Sequence, residues 1–237
     1  MDNFADLVSA VQTDLSIDNT STLFTPDVIK LALNRSYRKC AGLFKWPMLK
    51  DSQKASAVAN QEYYDYPETW QYDSAWKLTV DGQDYGDPLA FRDYRFEIEN
   101  NFPSHLIYFW TVYGGQYFIY PVPTLNGNNN IIIWGYGTVS KLVNTYDTTI
   151  FTTNFPECND AIVLEAEGIL KAKGEDQNTS LFKSADAKNL LAIAWGKIQE
   201  NQTKYEKTTP FFEVPDFFPD RKPGNSNTSN GSPIANF

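Results

Sequence analysis

The stretch TPDVIKLALNRSYRKCAGLFKWPMLK, Thr25 to Lys50, decides the fold. Thr25 suits an N-cap. Pro26 suits the first helical position, where its missing N–H would have no partner anyway, and Asp27 puts a negative charge at the positive end of the helix dipole. Ile29, Leu33, Tyr37, Cys40 and Phe44 then recur at helical steps as one apolar face, while Lys30, Arg35, Arg38 and Lys39 stay polar. Pro47 stops the helix because its ring clashes with the preceding turn. One amphipathic helix with a defined start and stop is predicted, and whatever follows it must be built differently.

Upstream, Phe4, Leu7, Val8, Val11 and Leu15 recur at helical spacing. Downstream, from about Ser56, the period becomes two. EYYDYP and WKLTV read as strands, and Asp81-Gly82 is a hairpin signal. Phe91 to Asn101 reads as a short helix. LIYFWTVY, Gly114-Gly115 and QYFIY make a second hairpin, closed by Pro121 and Pro123, and NIIIWGYGTV reads as a further strand. After Phe155-Pro156 the helical period returns. Ile162, Ala166, Ile169 and Leu170 form a stripe that Gly174 ends, and a longer helix follows with Leu181, Leu191, Trp195 and Ile198 inward. From about Tyr205 periodicity is lost. The expected architecture is α+β: an antiparallel helical base from residues 1–50 and 155–204, an inserted antiparallel β module at 51–154, and an extended C-terminal arm at 205–237. Such an insertion is tolerated when its two ends lie close together.

The 237 residues suffice for a real core, and 42% hydrophobic with 15% aromatic residues excludes disorder throughout. A net charge of -9 and a pI near 4.6 argue against tight non-specific binding to phosphate backbones. No apolar run approaches membrane-spanning length, and the acidic, amphipathic start MDNFADLVSAVQTDL is not a signal peptide. Two cysteines, Cys40 and Cys158, suggest reduced thiols in a cytosolic setting.

Little in the chain points to chemistry. His105 stands alone beside an aromatic strand and reads as a packed or rim residue. The cysteines lack metal-ligand spacing, and phosphate-loop, dinucleotide and nucleophile-elbow motifs are missing. Glu165 and Glu167 read as solvated acids on different sides of a helix. Asp65, Glu68, Asp73, Asp81, Asp84 and Asp87 crowd the β module without calcium-loop spacing and read as turn and surface acids. Trp70, Trp76, Trp110 and Trp134 leave three readings open: core, protein interface, or platforms for sugar rings. No catalytic, metal or cofactor residue is assigned.

Asn34, Tyr37 and the Trp46-Pro47 stop, followed by EYYDYPETW, YFIYPVPT and the helical pair NFPECNDAIVLEAEGILKAKGEDQNTSLFKSADAKNLLAIAW, resemble the head-to-tail adaptor proteins of tailed phages over most of residues 22–202. The long arm and the asparagine-rich loop 126–130 depart from that pattern. The resemblance implies a structural virion protein of the phage neck, assembled in the host cytoplasm, and no enzyme. It would form a homo-oligomeric ring, usually of twelve copies, beneath the portal protein. That ring would extend the channel through which DNA passes without specific binding and would offer a surface to tail or nozzle proteins. On that footing Arg35, Arg38 and Lys39 are expected on a subunit face, meeting acids of a neighbour. The arm FFEVPDFFPD, with Phe211, Phe212, Val214, Phe217 and Phe218 kept extended by Pro210, Pro215 and Pro219, is expected to dock on the portal or an adjacent adaptor. The competing expectations are a carbohydrate- or receptor-binding module of a phage tail and, further off, a carboxylate-based glycosidase.

Overall fold

The computed structural model describes residues 3–16, 23–100, 107–174 and 176–208, with 201–208 by backbone alone. The chain is α+β, and residues 1–198, which hold both the helices and the strands, close into one compact unit.

Four helices build the base. Helix α1 (Phe4–Asp14) starts on a capping box, in which the Asn3 side chain accepts from the Asp6 N–H and Asp6 accepts from the Asn3 N–H. It buries Phe4, Leu7 and Val11. Helix α2 (Pro26–Gly42) starts at Pro26 as expected, although the Thr25 side chain makes no capping bond. Ile29, Leu33, Tyr37 and Cys40 are buried, with Asn34 and Ser36 among them. Helix α4 (Glu157–Lys173) packs against both α1 and α2 and buries Ala161, Ile162, Val163, Ala166 and Leu170. Helix α5 (Gln177–Thr208) lies close against α4 at Gly168, where an added Cβ would come 3.1 Å from the Ser180 carbonyl.

Two expectations for α5 are corrected. Leu181 does not face inward: it is 70% exposed, and the buried stripe runs through Ala187, Leu191, Ala194 and Ile198. Ten residues at about 100° each set Leu181 about 80° round the helix from Leu191. The helix also continues to Thr208, past the start of the arm expected at 205. The arm from residue 209 onward, with its five anchor residues Phe211, Phe212, Val214, Phe217 and Phe218, lies outside the described residues, as does His105.

At the end of α2 the chain turns on Trp46. Its ring is fully buried, edge-on to Phe44, Phe151 and Trp195 at centroid distances of 5.5, 4.9 and 5.6 Å, while Phe44 stacks on Trp195. Its Nε1–H donates at 3.3 Å to the Cys40 carbonyl, which also accepts the Leu43 N–H at the helix end. A short 3₁₀ turn, Pro47–Leu49, leads directly into strand β1 (Lys50–Ala55). The β region therefore begins earlier than the sequence period suggests. KDSQKA is a polar edge strand with no apolar alternation to read.

The β region is two small antiparallel sheets rather than one. The first has the order β1, β7 (Ile131–Tyr136), β3 (Lys77–Val80), β4 (Gln83–Asp84). The second has the order β2 (Tyr63–Asp65), β6 (Gln116–Tyr120), β5 (Phe109–Tyr113). Both predicted two-residue turns form, with positive φ at Asp81 and Gly82 and at Gly114 and Gly115. The sheets share a core of Leu78, Val80, Ile131 and Ile133 against Trp110, Tyr117 and Ile119. Gly135 is required there, because the Trp70 ring lies 2.4 Å from where a Cβ would stand. Helix α3 (Phe91–Asn100) covers the far side of the second sheet by setting Tyr94 against Phe109 and Phe118.

Entry and exit of the β region are neighbours, since β1 pairs with β7 and Lys50 stands opposite Tyr136. The return segment is then fastened to α2. Asn34 Nδ2 donates to the Leu142 carbonyl at 3.0 Å, and the Leu142 N–H donates back to Asn34 Oδ1 at 2.8 Å. One turn on, the Tyr37 hydroxyl accepts the Ile150 N–H at 2.9 Å. The first N–H groups of α1 donate to the same segment, Phe4 to Asp147 and Ala5 to Thr145.

Replacing Trp46 by Ala is expected to cost about 3–5 kcal/mol in chemical denaturation, because the ring is sealed on all sides. Trp195→Ala should cost less, since Trp195 is only half-buried. Equal losses would show that the cluster does not centre on Trp46.

Candidate interaction surfaces

The basic residues of α2 do not act as a set. Arg35 and Arg38 project from the exposed outer face, in line with Leu31, and form no ion pair among the described residues. Lys39 turns the other way. Its ammonium pairs with the Glu165 carboxylate of α4, and Ser184 of α5 donates to the same carboxylate at 2.7 Å. Lys39, 46% exposed, is thus paired within the protomer in a link among three helices, whereas Arg35 and Arg38 have no such partner among the described residues.

The same finding corrects Glu165 and Glu167. Neither is solvated: Glu165 is buried and Glu167 is fully buried. Helix α4 is walled by α1, α2 and α5, so even its acids are enclosed. Lys183 Nζ lies 2.7 Å from Glu167 Oε2. Burial nevertheless pushes the Glu167 carboxyl above the usual range; Lys183 opposes that shift and the neighbouring Asp14 carboxyl adds to it. The available signal was the run of small residues Ala161, Ala166 and Gly168 on several sides of α4, which marks a helix packed all round.

Both cysteines are buried and free, and burial pushes each thiol up to about 12, which makes them poor nucleophiles at neutral pH. Two of the β-module acids act at turns. Asp84 pairs with Lys77 at 3.2 Å and accepts the Gly86 N–H, and Asp81 accepts from Asn130. No group of acids, cysteines or histidines able to hold a metal occurs among the described residues. No described helix is long and apolar enough to cross a membrane.

The four tryptophans separate. Trp70 and Trp110 are core, each bonded through its Nε1–H to Asp51 and to the Gly86 carbonyl respectively. Trp134 is half-buried with the Lys77 ammonium 5.5 Å from its ring, and Trp76 is 38% exposed. Trp76 lines an open groove of about 500 Å³ with Tyr72, Phe91, Tyr113, Asp87 and Lys45. The most exposed apolar side chains of the base lie on α5: Leu181, Phe182 at 72% and Ile193 at 59%.

No protein-family model matches the chain, and no curated protein matches it significantly.

The raised Glu167 carboxyl favours the folded state when protonated. That stability is present below the ordinary carboxylate value near ~4 and is lost as pH rises through the raised one. Denaturation midpoints measured from pH 4 to 8 should therefore fall for the native chain relative to Glu167→Gln. Parallel profiles would mean that Lys183 compensates the charge fully.

Proposed function

We propose that this chain is a structural head-to-tail adaptor of a tailed phage, forming a homo-oligomeric ring beneath the portal and presenting a surface for tail or nozzle proteins. One observation carries the reading. Of the residues on which the resemblance turns, Asn34, Tyr37 and Trp46 fasten both connections of the β module to the helical base, and Pro47 opens the turn into β1. An acidic ring around a channel would let DNA slide, because it offers few charges to neutralise phosphate.

In this reading the arm at 209–237 is the docking element. Each Phe it buries on a partner contributes about 1.5–3 kcal/mol, against a backbone ordering cost of about 1–2 kcal/mol per residue. One arm binds weakly and a ring of arms binds firmly. Mixed with the portal ring of the same genome, the intact protein should add a second ring visible by electron microscopy and native mass. A protein truncated after residue 208 should keep its helix content and lose attachment. Attachment as strong as that of the intact chain sinks the docking-arm idea; no attachment by the intact chain sinks the adaptor reading.

The groove at Trp76, Tyr72 and Tyr113 favours a second reading, a carbohydrate- or receptor-binding module. A glycan-binding screen on the isolated protein decides it: binding that disappears with Trp76→Ala supports this reading, and no binding removes it.

A further inference from the structure

Two exposed helix faces carry the same spacing with opposite character. On α2 the outer stripe is Leu31, Arg35, Arg38, Gly42, and on α5 it is Phe182, Asp186, Asn189, Ile193. Each runs i, i+4, i+7, i+11, so each is a straight line along one side of its helix. All eight residues are exposed. The α2 stripe is cationic at its centre, with no ion pair to either arginine among the described residues. The α5 stripe has an acid and an amide at its centre, flanked by two large apolar side chains that are mostly exposed to water.

We infer that the outer face of α2 in one copy of this chain packs antiparallel against the outer face of α5 in the next. That alignment seats Phe182 over Gly42, where the space around an added Cβ is open, and sets Ile193 against Leu31. It leaves Asp186 opposite Arg38 and Asn189 opposite Arg35. Large against small and acid against base is what a packed helix pair needs. The two faces are different surfaces, so the contact is head-to-tail, and repetition of such a contact closes into a ring when its rotation allows. The inference rests on the ring reading and supplies its subunit contact. Lys39, held by Glu165, takes no part.

The test uses the full chain, alone at high concentration and on the portal ring of the same genome. The native cysteines are buried, so introduced ones report selectively. A short bismaleimide cross-linker should convert the Arg38→Cys, Asp186→Cys double variant into a ladder of covalent oligomers, while either single variant stays uncoupled. Arg35→Glu with Arg38→Glu should weaken assembly at least tenfold with an unchanged melting temperature, and Asp186→Lys in the same chain should restore part of it. Rings that form normally with no ladder and no effect of reversal overturn this contact and leave the ring reading standing. Dimers from a single-cysteine variant overturn the head-to-tail geometry. A native chain that stays monomeric under both conditions overturns the ring reading and this contact with it.

Discussion

The carboxamide of Asn34 does what an apolar side chain on α2 could not. It pairs with both the backbone donor and the backbone acceptor of one distant residue, Leu142, and so fixes where the chain comes back after the β excursion. A buried amide left without partners costs about 1–3 kcal/mol. The site is therefore satisfied only when the return segment is in register. Tyr37, one turn further along, repeats the constraint at Ile150. The β module can vary in its loops while its base stays fixed, because the fixing groups belong to the helix and not to the module.

Charge plays a comparable part inside the base. Glu165 gathers Lys39 and Ser184 from two other helices, and Glu167 meets Lys183 across the α4–α5 contact. The carboxylates are buried while the lysines stay partly in water, so each pair gives little net stability, but a buried carboxylate left without its lysine would penalise a mispaired arrangement. Three helices whose apolar faces are otherwise interchangeable acquire a defined rotation about their axes. The aromatic cluster at Trp46 supplies the dispersion energy at the same corner, where helix gives way to strand.

The α+β class and most elements were legible in the sequence because their signals are local. The proline at the start of α2, the Asp81-Gly82 and Gly114-Gly115 turns and the proline that closes β6 each act within a few residues. What escaped was set at long range. KDSQKA is a strand only because β7 lies beside it, and the division into two sheets depends on how Trp110 and Tyr117 pack across from Ile131 and Ile133. Glu165 and Glu167 look like surface acids until α4 is seen to be enclosed, and Lys39 looks like Arg35 and Arg38 until its partner is found 126 residues away. Of the surfaces, the α2 arginines were visible as a polar stripe. The α5 stripe is hidden in the sequence, because Leu181 and Phe182 carry the apolar character of core residues while both are exposed.

The pairing of β1 with β7 also determines how load passes through the molecule. Both strands leave the base at one end of their shared ladder, Lys50 beside Tyr136. A pull on the module away from the base draws both strands the same way, so the hydrogen bonds between them carry no shear. The tension passes along the two covalent chains to the buried anchors behind them, Trp46 on one and Leu142 with Ile150 on the other. Failure under tension would begin at those anchors, with the sheet still intact.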